Sequence, residues 1–182
     1  MRLSGPSEKQ IVTKVEKLEN GVWVVTNHMP HMHAAAIGVW MRCGLRHEPK
    51  RLNGISHFVE HLVFKGTKNR SDREISQSIE GVGGVLNAST GEEMTFYFSQ
   101  APCEKFALAL EVLLDIAVNP LFKEDYLEKQ RSIVLEEIHM YEDRPSSVVQ
   151  DIFHEVMWGK HPLGRRTLGT EQSVRGISRS DI

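Results

Sequence analysis

The chain has 182 residues, 40% of them apolar, which is enough for one domain with a real core. Its formal charge is −2 and no basic patch is interleaved with aromatics, which argues against nucleic acid as a partner. No apolar run approaches a membrane span, and the polar stretch from Met1 to Gln10 reads as neither a signal peptide nor an Arg-rich presequence, so no membrane role is expected and the expected compartment is cytoplasmic. Cys43 and Cys103 make no disulfide framework and read as ordinary buried thiols.

In chain order, residues 1–14 read as a flexible segment. Val15–Leu18, the Asn20-Gly21 pair and Val22–Thr26 form a hairpin signal. A third strand runs over 34–42, with Ile37, Val39 and Met41 alternating. His28, His31 and His33 fall between these strands with no carboxylate patterned beside them, so an exposed turn is the better reading than a metal site. A helix is predicted from about Gly54 to Phe64, and a second from a Ser71 cap to about Glu80, with Glu74 completing a capping box. Strands over 83–90 and 94–99 make another hairpin. Glu104–Val118 reads as a helix with Phe106, Leu110, Leu113, Leu114 and Ala117 as its core stripe. A long helix follows, closed by Pro145, with Tyr126, Ile133, Val134, Ile138 and Tyr141 as its apolar positions, and then a helix over 147–158. The predicted fold class is α+β, an antiparallel or mixed sheet with helices packed on one face.

The first predicted helix carries chemistry. Ile55, Phe58, Val59, Leu62 and Val63 fall on one side, and His57, Glu60 and His61 on the other, in the order H-x-x-E-H. Side chains four apart on a helix are neighbours, so His57 and His61 can grip one ion. Imidazole suits Zn²⁺, and an unligated carboxylate beside it suits a general base, which is the expected role of Glu60. A catalytic zinc needs a third protein ligand and an open position. Glu137 falls inside the apolar stripe of the long helix, where a carboxylate is costly unless it is paired, hydrogen-bonded or bound to metal. It is the candidate third ligand, with pairing to a buried Arg or Lys as the alternative. Glu136 points away, as a solvated neighbour or one that hydrogen-bonds behind the ligands.

His57–Thr67, Asn87–Thr90, Ile133–Ile138 and Glu142–Pro145, with Glu137 lying 76 residues past His61, give the chain a resemblance to the pitrilysin/insulinase family of zinc metallopeptidases, nearest the processing-peptidase-like branch. The resemblance runs from about Val15 onward. It implies a zinc-peptidase domain over 15–182, one Zn²⁺ per chain held by His57, His61 and Glu137, and a zinc-bound water activated by Glu60 for endopeptidase chemistry. Family members often carry a second Glu seven residues, two helical turns, before the ligand; Gln130 stands there, keeping hydrogen-bonding capacity without charge. The resemblance also implies that the strand holding Asn87 and Ala88 is an edge that pairs with peptide or unfolded-protein substrate. Phe64 is a candidate for lining a side-chain pocket, with packing in the core as an equal alternative. Family subunits contain two similar domains, and the stretch from Ser178 to Ile182 reads as a helix opening, so a second domain or partner subunit, or a dimer, is expected to complete the site. The competing expectations are a non-catalytic structural or substrate-binding subunit of a processing-peptidase-like complex, and a structural zinc site with a fourth protein ligand.

Overall fold

The computed structural model describes residues 12–182. The first hairpin pairs β1 (Val12–Lys17) with β2 (Trp23–His28), antiparallel, with Val15 opposite Val25. Its turn uses Gly21 at φ +87°, and Asn20 Oδ1 accepts from the Val22 amide. Val12–Lys14 therefore belong to a strand rather than to a flexible segment: β1 extends as far as it has partners, and those are Thr26–His28. The rest of the expected flexible segment, residues 1–11, lies outside the described residues.

Three further strands form the central sheet: β3 (Ala34–Met41), β4 (Val85–Thr90) and β5 (Thr95–Pro102). Their order is β3-β5-β4 and both pairings are antiparallel, which leaves β4 at an edge. Tyr97 sits between Val39 and Ala88 in register. Those three turn one face of the sheet inward, with Ile37, Met41, Leu86 and Ala101. Phe96 and Phe98 alternate to the other face, where Phe96 stacks on Trp40.

Among the described residues six α-helices accompany the strands: α1 (Ile55–Val63), α2 (Asp72–Glu80), α3 (Phe106–Val118), α4 (Glu124–Glu142), α5 (Pro145–Trp158) and α6 (Glu171–Gly176). The Ser71–Glu74 capping box forms as predicted at the start of α2. Pro145 closes α4 by opening α5 at its first position, where a missing amide costs nothing. Helix α3 packs on β5 and β3, and α1 and α2 pack against β4. Among the described residues no helix is long and apolar enough to cross a membrane.

Two predicted stripes are rotated in the structure. In α3 the buried positions are Ala109, Val112, Leu113, Asp115 and Ile116, while Phe106 and Leu114 are exposed. The helix is apolar nearly all round, so periodicity discriminates poorly, and the sheet takes the slimmer face. In α4 the buried positions are Leu127, Gln130, Arg131, Val134, Leu135 and Ile138, and Ile133 and Tyr141 are exposed. The polar heads of this face are accommodated rather than avoided: Arg131 donates to the carbonyls of Val174 and Ile177 and to Glu128.

Helix α1 runs between two cores. Phe58 and Leu62 pack with Leu127, Val134, Ile138, Val174 and Ile177 of α4 and the α6 region. Val63, supported by Val59, packs with Ile75, Ile79, Tyr97, Val112 and Ile116 on the sheet side. Burial on both flanks fixes this helix in position and in rotation, and so aims the residues it carries.

Candidate metal centre

The start of α1 is held from outside the helix. Gly54, at φ +90°, offers no capping side chain. Glu48 supplies the cap: its Oε2 accepts from the Gly54 amide at 2.8 Å and from Asn53 Nδ2 at 3.1 Å, and its Oε1 accepts from the Ser56 amide at 3.0 Å. A carboxylate there also complements the positive end of the helix dipole. A Cβ on Gly54 would stand 2.4 Å from the Leu168 carbonyl oxygen, so a side chain is excluded by close backbone approach as well as by φ.

One turn in, His57 and His61 project toward α4. Their Nε2 atoms lie 3.3 Å apart, and Glu137 Oε2 lies 3.5 Å from the first and 3.4 Å from the second. A tetrahedral ion with ligand bonds of about 2.0–2.1 Å places its ligand atoms roughly 3.3–3.4 Å from one another. All three separations match that value, so the donor set fits zinc in chemistry and in size. No other group of three such donors comes together among the described residues. Burial, aided by the neighbouring His61 and opposed by Glu137, lowers the His57 pKa to about 4. The ring is thus neutral near pH 7, with a lone pair to offer. Its Nδ1 is buried and meets no hydrogen-bond partner. Hydrogen bonding from His61, with the charges of both rings, holds the Glu137 carboxyl below the usual range.

Glu60 stands outside this cluster but in the same cleft, a concavity of about 390 Å³ that His57, Glu137 and the end of β4 also line. Burial raises its pKa. A base lifted towards neutrality beside a three-donor site, with the fourth position open to the cleft, is suited to taking a proton from water and returning it.

The remaining predicted residues divide. Ala88 lines the cleft on the edge strand. Asn87 does not; its Oδ1 accepts from the Ala88 amide at 2.8 Å. Phe64 is not brought to the cleft either: it caps α1 and meets Tyr97 edge-on, 6.4 Å between ring centres, in the sheet-side core. Gln130 is buried two turns before Glu137, and Glu136 is exposed. Sequence reasoning missed Thr90, Asp151, His154 and Arg165, which also line the cleft. Asp151 and His154 are three apart on α5, a spacing that puts them on one face, but nothing in the sequence says that this face borders the cleft.

The mixed α+β domain brings two imidazoles and a carboxylate together between packed helices, a donor set that could hold a metal ion. Residues 23–171 match the insulinase family, Peptidase family M16, and the chain belongs to that family. Over 160 residues it is 44% identical to an uncharacterized zinc protease, YmxG, of Bacillus subtilis strain 168, covering 88% of this chain and 39% of that protein. It is 38% identical over 170 residues to a probable mitochondrial-processing peptidase subunit beta of Arabidopsis thaliana, covering 93% of this chain and 32% of that one. The crystal structure of a protease from Helicobacter pylori shares the fold with a TM-score of 0.89 at 26% identity, over 94% of this chain and 42% of that one. The chain thus spans well under half the length of the proteins it matches.

Proposed function

We propose that this domain carries the catalytic centre of a zinc-dependent endopeptidase acting on peptides or unfolded segments. The observation that carries this reading is the set of three donor atoms at tetrahedral-edge spacing with an unligated, pKa-raised carboxylate in the same cleft. His57, His61 and Glu137 would hold one Zn²⁺ per chain, and the ion when bound supplies polarisation of the attacking water and the scissile carbonyl. Glu60 accepts the proton of that water and delivers it to the departing amine nitrogen, so no covalent intermediate is required. The β4 edge receives the substrate backbone beside Ala88, a mode that tolerates varied sequence because main chain does the pairing.

A second domain or a partner subunit closes the cleft in this reading. Its docking is supported by the apolar side of α5, where Val149, Ile152, Phe153 and Val156 are all more than half exposed. The first test is metal content together with hydrolysis of an unfolded fluorogenic peptide by the full-length protein. One zinc per chain, with turnover abolished by Glu60→Gln and zinc retained in that variant, is the expected result. Unchanged hydrolysis by Glu60→Gln would remove Glu60 as the base, and a folded protein that binds no zinc would end the proposal.

A further inference from the structure

Two consecutive arginines, Arg165 and Arg166, follow the single 3-10 turn at Pro162–Gly164, and the fold uses them differently. Arg166 is neutralised on the spot, with Glu142 at 2.6 Å and Asp151 at 3.3 Å. Arg165 lines the cleft, and its guanidinium forms no ion pair among the described residues. Its one hydrogen bond there runs from Nη1 to the Glu48 carbonyl at 2.9 Å. Nε and Nη2 meet no acceptor among the described residues, and neither is sealed from solvent.

The position of this cation is fixed. Glu48, whose carbonyl holds Nη1, caps α1 with its own carboxylate. Asn53 Nδ2 donates to the Arg166 carbonyl at 2.9 Å, which ties the same loop to the start of α1. The guanidinium is thereby held against the helix that carries His57, Glu60 and His61, and little freedom is left for a ligand to remove. The cleft is otherwise lined by Glu60, Glu92, Glu137 and Asp151, and none of these carboxylates reaches Arg165.

We propose that Arg165 is a specificity-determining residue: its guanidinium binds the side-chain carboxylate of an Asp or Glu at one position of the peptide in the cleft. The inference rests on the peptidase reading above for what enters the cleft. A carboxylate can take two N–H donors of the planar fork and neutralise its charge, whereas a backbone carbonyl leaves that charge unmet. The four carboxylates that share the cleft repel acidic side chains at other positions, which confines the preference to the one that meets Arg165.

The test uses the full-length, zinc-loaded protein carrying Glu60→Gln, so that bound peptide is not consumed. Labelled unfolded peptides of one sequence carry Glu, Gln or Ala at each position in turn, and fluorescence anisotropy gives their Kd values. At one position Glu binds about tenfold more tightly than Gln, the lower end for a charge-assisted hydrogen bond because the cleft is open to solvent. Arg165→Gln, which keeps an N–H donor for the Glu48 carbonyl, removes that preference and retains zinc. Arg165→Glu shifts the same position towards Lys, a reversal that a merely structural role would not produce. A Glu-to-Gln ratio within about twofold of unity at every position would overturn the inference, as would a ratio that survives Arg165→Gln. Equal weakening of all peptides by Arg165→Gln would also overturn it, since that is the mark of a backbone or structural contact. If Arg165→Gln does not fold, Arg165→Met replaces it with the same expectation. Absence of Glu60-dependent turnover in the parent would sink the peptidase reading, while the Kd ratios would still decide Arg165. Failure of every peptide to bind would end both.

Discussion

The Arg131 guanidinium lies over the Phe58 ring, 5.3 Å from its centroid, and so ties α4 to α1 at the residue next to His57. The same side chain reaches the carbonyls of Val174, inside α6, and of Ile177, just past its end. The two helices that carry the candidate metal donors are thus joined by one almost fully buried cation whose charge is met by Glu128 and by backbone dipoles. Arg131→Met should cost about 2–4 kcal/mol of unfolding free energy, because two carbonyls lose their donor along with the stacking. Urea unfolding of the metal-free protein measures it. Arg131→Lys should recover little, since one ammonium cannot serve a fork of acceptors and a ring face together.

Glu137→Ala should weaken zinc binding at least about 100-fold and leave the fold intact, because the carboxylate is half-exposed and removal of a ligand costs more than loss of a supporting group. Competition with a chromogenic chelator reads the affinity. An unchanged affinity would mean that Glu137 merely pairs with the two imidazoles.

Stability of the metal-free protein should fall as pH is lowered from 6.5 towards 4. His57 titrates near 4 when folded and at 6.5 when unfolded, so between these values the unfolded chain binds a proton that the folded chain refuses. The contribution of this group is complete above pH 6.5 and declines through that window, by up to roughly 3 kcal/mol at about 1.4 kcal/mol per pKa unit. Glu137, whose carboxyl is held low in the fold, adds to the loss at the acid end. Chemical denaturation across pH 4–7 should trace the curve, and His57→Phe should flatten its upper part.

Glu48→Ala should unseat the start of α1. The Gly54 and Ser56 amides would lose their acceptor, at about 1–3 kcal/mol for each buried group left unpaired. Zinc affinity should fall as well, although Glu48 touches no donor, because His57 lies only one residue past Ser56. Glu48→Gln keeps acceptor oxygen for one amide and should fall between the two.

The site was legible where chemistry and periodicity coincide. H-x-x-E-H offers two candidate ligands and a candidate base because a helix puts those three residues near one another. Glu137 was reachable since a carboxylate set within an apolar stripe demands a partner, even though Ile133 and Tyr141, used to define that stripe, are exposed. Of the two readings of Phe64, the structure takes the packing one: α1 ends at Val63, and the ring turns into the core against Tyr97. Gln130 was read as a hydrogen-bonding side chain without charge and Arg131 was not singled out, whereas both are buried; for Arg131 that depends on carbonyls 43 and 46 residues away that no local pattern encodes.

The bond from the Ala88 amide to Asn87 Oδ1 gives the free edge of the sheet a removable guard. An open strand beside a cleft is a template for any extended chain, including another copy of itself. With one donor already satisfied locally, an arriving backbone gains no net hydrogen bond at that rung; it exchanges one for another. Retention must then come from neighbouring rungs and from side chains seated in the cleft. Selectivity at such an edge is set less by how well a peptide pairs than by how completely it replaces what it displaces.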